Sequence, residues 1–225
     1  MSLRIFKKQI ESMLRRKELV DALTPIVHMR PRQVINPLFG LLYHGDALVR
    51  WRAVSAMGAV TAQLAGDHME SARVIMRRLM WNLNDESGGI GWGAPEAMGE
   101  IMARSKPLAR EYNHILCAYL NPEGNFLEHQ GLQSGVLWGV GRLAQVHPEL
   151  AADTIPFLLP FLAASTAFLR GLAAWAAGWL RQPDFNQPLY ALCNDPASIE
   201  LYLPEGRLVT RTIAQLATEA LSSKE

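Results

Sequence analysis

Histidine, cysteine and carboxylate side chains most often do chemistry in proteins, and here they are scattered along the chain. None of the six histidines falls in a His-x3-His pair, and His114 with Cys117 has the spacing of two metal ligands. The two are one helical turn apart, which also suits a small buried thiol on one helix face. The sequence contains no nucleophile elbow, paired-cysteine redox motif or zinc-protease helix. It therefore predicts no catalytic residue, metal or cofactor, and favours a protein that is not an enzyme.

A glycine-rich segment, residues 84–93, is the most unusual part of the chain. Four of its last six residues are glycines, namely Gly88, Gly89, Gly91 and Gly93. Successive glycines before a helix can form a nest of backbone N–H groups that binds an anion. The segment lacks the Lys-Ser/Thr of a phosphate-binding loop, and Asp85 and Glu86 would repel phosphate. Two interpretations stay open: an anion-binding loop, or a long turn that uses glycine for positive φ.

The composition limits the classes of function. The chain of 225 residues carries 22 Lys and Arg against 21 Asp and Glu, a net charge of +1. Dedicated nucleic-acid-binding proteins carry a marked basic excess, so we expect no nucleic-acid partner. Hydrophobic residues make up 49% of the chain, enough for a sizeable core. Two cysteines exclude a disulfide-rich scaffold and fit a reducing, cytoplasmic location.

Neither hydrophobic segment predicts a membrane span or a secretory signal. The first 20 residues are basic and amphipathic without an unbroken apolar stretch, which favours a capping helix. Residues 154–180 are the most hydrophobic, but Pro156, Pro160 and Arg170 interrupt them. The uncharged part before Arg170 is 16 residues long, short of the roughly 20 that a spanning helix needs. Two helices joined by a short connection explain this stretch better.

The elements that must position these residues follow from an internal repeat. Segments 49–58, 90–99, 132–141 and 169–178 align without gaps on a shared final glycine, with spacings of 41, 42 and 37 residues. Each follows another apolar helical run, so the unit is helix, turn, helix. The pattern predicts an all-α fold, a right-handed α-solenoid of about five helical pairs. We expect a single domain over 1–225, with capping helices at 1–29, four pairs at 30–181 and a degenerate repeat at 182–225, its second helix near 208–221.

One segment carries a family resemblance. Residues 46–53, Asp-Ala-Leu-Val-Arg-Trp-Arg-Ala, resemble the Asp-x-x-Val-Arg-x-x-Ala core of HEAT repeats, particularly the short repeats first noted in phycobilisome lyases. Residues 82–99 are similar to a signature of uncharacterised bacterial HEAT-like proteins. The resemblance implies an armadillo- or HEAT-type superhelix and says little about function. It also implies that Asp46 and Arg50 form a structural pair between adjacent turns.

The second helix of each pair has one face that is unusually aromatic. Counted from the shared glycine, positions −5, −2 and +2 hold small or aliphatic residues and are predicted to be buried. Positions −7, −3 and +1 lie on the opposite side, which in a solenoid lines the concave surface where partners dock. The predicted partner-binding residues there are Trp51, Trp92, Glu96, Glu100, Trp138, Arg142 and Trp175. The alternative is that these tryptophans are buried against neighbouring repeats.

These observations favour a non-enzymatic scaffold that binds a protein or peptide through a concave, tryptophan-rich surface. The resemblance leaves two alternatives. One is a HEAT-like DNA glycosylase for alkylated bases, which the missing basic stripe disfavours. The other is a tetrapyrrole lyase or chaperone, which rests on likeness of fold and not on any residue.

Overall fold

The helix-turn-helix pairs predicted from the repeat are present. The structure is a computed structural model that describes residues 3–84 and 91–222. The elements of its first half are α1 Leu3–Leu14, α2 Leu19–Val27, α3 Pro31–Leu41, α4 Ala47–Asp67, α5 Met69–Leu83, α6 Ala94–Arg104 and α7 Lys106–Ala118. The remaining elements are α8 Gln130–Val146, α9 Pro148–Ala151, α10 Ile155–Leu162, α11 Ala167–Leu180, α12 Asn186–Leu192, β1 Ser198–Leu203, β2 Arg207–Thr212 and α13 Ile213–Ser222.

The C-terminal repeat differs from its prediction. We expected its second helix near residues 208–221, but residues 207–212 form β2, which pairs with β1 in a two-stranded sheet. The helix begins at Ile213. Leu208, Val209, Thr210 and Thr212 explain the difference, because apolar and β-branched side chains favour extended backbone. Within the described residues, this hairpin contains the two strands of an otherwise helical chain.

The chain divides into two compact units. The first contains residues 1–108 and 202–208, and the second contains 109–201 and 209–225. In the first unit α4 packs between α2 and α6, while α3 packs against α1 and α4. In the second unit α11 packs between α8 and α13. There α10 packs against α11, and α12 packs against α13. Inside each unit, the second helix of one pair thus stacks on the second helix of the next. The boundaries of a single domain stay a prediction.

The charged residues at the start of helix α4 have other partners than the resemblance implied. The carboxylate of Asp46 caps the helix, accepting hydrogen bonds from the backbone N–H groups of Leu48 at 3.0 Å and Val49 at 3.3 Å. It also accepts from the Arg15 guanidinium at 2.6 Å, which lowers the pKa of Asp46. Arg50 donates to the backbone carbonyl of His44 at 3.1 Å. The expected Asp46–Arg50 pair is therefore wrong.

The small-residue face of the second helices lies in the core, as predicted. Ala53 and Ala56 in α4 and Ala173 and Ala176 in α11 are fully inaccessible. One close approach involves Gly141 in α8, where an added Cβ would lie 2.4 Å from Cζ3 of Trp175. Small residues thus set how near α11 comes to α8.

The hydrophobic stretch at 154–180 forms the two helices α10 and α11 with a turn between them. Among the residues that the structure describes, no helix is both long and apolar enough to cross a bilayer.

Two glycine-to-alanine variants test the packing argument. We expect Gly141→Ala to lower the free energy of unfolding by roughly 1–3 kcal/mol, because the new methyl group overlaps the Trp175 ring. Gly66→Ala is the control: it lies in α4 with open space around its Cα, so alanine should raise that free energy by about 0.5–1 kcal/mol. Urea denaturation followed by circular dichroism measures both. A Gly141→Ala protein as stable as the wild type would contradict the close approach.

Candidate functional site

One face of α4 in the first unit carries the clearest candidate site. Trp51, Ser55, Ala59 and Ala62 follow one another at helical spacing along this face. The Trp51 ring stacks on Tyr202, with ring centroids 5.1 Å apart and planes 10° from parallel. The Tyr202 hydroxyl and the Ser55 hydroxyl are hydrogen-bonded at 2.8 Å. The tip of the β-hairpin, residues 202–208, therefore covers the N-terminal half of the face.

The hairpin tip is held by a buried arginine. Arg52, only 3% exposed, donates from Nε to the carbonyl oxygen of Gly206 at 3.2 Å. Its two other nitrogens donate to the carbonyl oxygens of Leu14 at 3.0 Å, of Lys17 at 2.9 Å and of Arg16. Four backbone carbonyls from the α1–α2 connection and the hairpin thus share one guanidinium, whose planar fork suits such divergent acceptors.

The C-terminal half of the same face is open. A pocket of about 590 Å³ lies where Ala59 and Ala62 of α4 face α2. Its remaining wall includes Leu19, Val20, Leu23 and Val27 of α2 and Arg104 of α6. Val20 is 73% exposed, unusually high for a valine in a helix. The pocket therefore offers an apolar floor with a guanidinium at its edge.

Glu96 and Glu100 of α6 have different environments. Glu100 is buried and pairs with Arg104 one turn further along the helix. Glu96 is half-buried, and its Oε2 is inaccessible and has no hydrogen-bond partner among the described residues. Burial raises the pKa of Glu96 to about 7, against the opposing effects of its own backbone N–H and of Arg50. Trp92, just before this helix, is half-buried.

The predicted binding residues of the second unit are not at the surface. Trp138 and Trp175 are 1% and 8% exposed and stack on each other, with ring centroids 6.2 Å apart. Arg142 is also buried and donates to the Gln145 side chain at 3.1 Å. Each indole fills space between α8 and α11 that their small residues leave. The prediction that these three side chains line an open surface is not confirmed.

Part of the glycine-rich segment, including Gly88 and Gly89, lies outside the described residues. Gly91 and Gly93 have φ values of 67° and 76°, in the left-handed region that favours glycine. Gly93 precedes the first residue of α6, and an added Cβ there would lie 2.9 Å from Cβ of Leu42. At these two positions the interpretation as a turn is supported by backbone geometry.

The pair with metal-ligand spacing shows an ordinary environment. The Cys117 thiol donates to the Asp153 carbonyl at 3.2 Å, and burial, aided by the charge of Asp153, raises its pKa to about 11. A thiol with so high a pKa is a poor nucleophile at neutral pH. Within 3–84 and 91–222, His, Cys, Asp and Glu side chains form no cluster that could hold a metal.

Sequence reasoning missed the residues that define the site's limits. Tyr202 and Gly206 are about 150 positions from Trp51 and Arg52, so no local pattern links them. Val20 could have been found, because an apolar residue between Leu19 and Asp21 lies outside the buried stripe of α2.

With this geometry, comparison with solved structures defines the class of fold as an all-α, helical-repeat solenoid of armadillo type. A designed armadillo-repeat protein in complex with the peptide (KR)4 matches with a TM-score of 0.54 and 16% identity, over 96% of this chain and 98% of that one. A second designed armadillo-repeat protein matches with a TM-score of 0.52, 16% identity and coverages of 96% and 99%. A structure of computationally designed armadillo-repeat proteins for modular peptide recognition matches with a TM-score of 0.50 and 16% identity, over 96% of this chain and 99% of that one. These low identities show the fold alone.

By sequence, the chain is similar to an uncharacterized protein of Archaeoglobus fulgidus. The two are 33% identical over 112 residues, 49% of this chain and 54% of that protein, so the match spans about half of the relative's length. No family model matches the chain. The solenoid prediction is therefore confirmed, while membership of the HEAT or phycobilisome-lyase class stays a prediction.

Replacing Glu96 tests its buried environment. Because its pKa rises from 4.5 to about 7 on folding, the folded state holds the proton more tightly than the unfolded state. This contribution to stability is complete below pH 4.5, is lost as the pH rises towards 7, and is constant above that. Between pH 5 and 8 we expect the wild type to lose roughly 1–3 kcal/mol more unfolding free energy than Glu96→Gln, measured by urea denaturation.

Glu70→Gln is the matched control for this measurement. Glu70 is exposed, and its hydrogen bond with Arg77 lowers the pKa of its carboxyl, so its contribution to stability is present at neutral pH and is lost on acidification. Between pH 5 and 8 its removal should therefore leave the pH dependence almost unchanged, because both its unfolded and its folded pKa lie below that range. A Glu96→Gln protein whose stability follows the wild type at both pH values would contradict the burial argument.

Proposed function

We propose that this protein is a non-enzymatic scaffold that binds a protein or peptide segment on the second-helix side of its first unit. The apolar pocket between α2 and α4 receives a hydrophobic side chain of the partner. The covered half of the α4 face, where Tyr202 stacks on Trp51, forms the end of the binding surface. The observation that carries the proposal is that open pocket, on the layer of helices that solenoid proteins use for partners.

The pocket has the properties of a binding anchor site. Its volume of about 590 Å³ accommodates one large side chain and the adjoining backbone. Leu19 is buried and Val20 is exposed, so the pocket has a packed floor and an apolar rim. Burying such a rim with a partner residue releases water from apolar surface, at about 25 cal/mol per Å². The designed relatives, one in complex with a peptide and others made for peptide recognition, share this fold and support the same type of use.

One charged group at the edge of the pocket adds specificity. Arg104 can meet a backbone carbonyl or a carboxylate of the partner, although Glu100 already pairs with it. Glu96 lies two turns earlier on α6, does not line the pocket, and has its inaccessible Oε2 out of a partner's reach.

The HEAT-like origin and the cytoplasmic location predicted from the sequence are also part of this proposal. The motif at residues 46–53 supports a HEAT-like origin for the repeats. The two free cysteines, Cys117 and Cys193, are compatible with a cytoplasmic protein. A DNA glycosylase is one alternative function, resting on a similar length and on the tryptophans and acid predicted for the concave surface. A tetrapyrrole lyase or chaperone is the other, and it rests on the likeness of fold alone.

Peptide selection with paired variants tests the proposed surface. Peptides are first selected from a random displayed library with the whole wild-type chain, and their dissociation constants are measured by fluorescence polarisation. Ala62→Trp fills the pocket and Val20→Glu places a charge on its rim, so each should weaken binding by at least about tenfold.

Gln63→Trp is the control, because Gln63 is the next residue of α4, is exposed and does not line the pocket. It should change the dissociation constant by less than about twofold. Thermal unfolding by circular dichroism verifies that all three variants are folded. If Ala62→Trp and Val20→Glu bind like the wild type, the proposed surface is wrong.

A further inference from the structure

A second cleft in the first unit lies on the side of the first helices. It separates α3 from α5 and has a volume of about 830 Å³. Ile35, Leu64, Val74 and Ile75 supply its apolar wall. Its polar lining includes Arg30, Arg32 and Arg78 together with His68, and no carboxylate of the described residues lines it. We call it the α3–α5 cleft.

The arginines of this cleft have no carboxylate partner among the described residues, unlike four other arginines of the same unit. Arg15, Arg73, Arg77 and Arg104 each form an ion pair with a glutamate or aspartate. By contrast, the side chains of Arg30 and Arg32 hydrogen-bond no residue in the described part of the chain, and both are exposed. The cleft therefore concentrates positive charge without a counter-charge in its described lining, in a chain whose net charge is only +1.

Arg78 is held in position by two contacts. Its guanidinium carbon lies 4.2 Å from the centroid of the Phe39 ring, a cation–π arrangement. Its Nη1 donates to the side-chain oxygen of Asn36 at 3.0 Å. A guanidinium fixed in this way loses little conformational entropy on binding, and its remaining N–H groups present a fork that matches a carboxylate.

The same face of α5 also exposes large apolar side chains. Val74, Arg78 and Trp81 follow at spacings of four and three residues and so share one helix face. Val74 is 44% exposed and Trp81 is 73% exposed. Exposed tryptophan and arginine are the residues most enriched among binding hot spots. A ligand in the cleft can thus bury apolar side chains on α5 while its acidic groups meet the arginines.

We infer that the α3–α5 cleft binds an acidic peptide segment in which carboxylates alternate with hydrophobic side chains. The aliphatic wall favours a peptide over a nucleic acid, since a sugar-phosphate backbone offers few aliphatic groups to pack against it. The α3–α5 cleft shares no lining residue with the pocket between α2 and α4. The inference therefore does not depend on the proposed function.

The test uses the whole chain and a short fluorescent peptide in which glutamate alternates with leucine. We expect saturable binding that weakens as salt rises. Arg32→Gln and Arg78→Gln should each weaken it roughly tenfold, and Trp81→Ala should weaken it by a similar factor. Arg77→Gln is the matched control on α5, because Arg77 pairs with Glu70 and does not line the cleft. It should change binding less than about twofold.

Because Arg78→Gln also removes the contact with Phe39, thermal unfolding accompanies each titration, and Arg32→Gln, which disrupts no described contact, gives an independent result. A peptide in which lysine alternates with leucine, inorganic tripolyphosphate and duplex DNA are competitors. The inference is overturned if the acidic peptide does not bind at millimolar concentration. It is also overturned if Arg77→Gln weakens binding of the acidic peptide as much as Arg32→Gln does. Stronger competition by any of the three competitors than by unlabelled acidic peptide would overturn it as well.

Discussion

The first unit depends on one buried cation. The Arg52 guanidinium is surrounded by four backbone carbonyls, three from the connection between α1 and α2 and one from Gly206 at the hairpin tip. A buried charge is tolerated only when its hydrogen bonds are satisfied, and these carbonyls satisfy it. Each partner therefore fixes the other. Gly206 also needs to be glycine, because an added Cβ would lie 2.6 Å from Cβ of Leu19.

This anchor decides how much of α4 is available to a partner. With Gly206 held by Arg52, Tyr202 lies over Trp51 and Ser55, and this end of the helix face is covered. Beyond Ser55 the hairpin no longer covers the face, and the pocket at Ala59 and Ala62 is open. Trp51, one of the predicted partner-binding residues, is thus engaged by the chain itself. The surface left for a partner is shorter and more aliphatic than the aromatic pattern suggested.

The two proposed binding surfaces differ in chemistry because they lie on different layers of the same unit. The pocket between α2 and α4 is mostly apolar, with Thr24, His28 and one already paired guanidinium in its lining. The α3–α5 cleft combines exposed Val74 and Trp81 with arginines that face no carboxylate in its described lining. A scaffold with two such surfaces can hold two segments of unlike composition.

The sequence by itself determined the helical pairs and the small-residue face, because helix periodicity and the packing of alanine and glycine are properties of nearby residues. The Asp46 cap of α4 also acts over only three residues, but the resemblance implied a pair with Arg50 instead. The sequence could not decide whether Trp51, Trp138 or Glu96 is exposed, since burial depends on which distant segment packs over each residue. Tertiary structure brought Tyr202 to Trp51 and Trp175 to Trp138. Those outcomes arise from contacts between residues far apart in the chain, which no local period encodes.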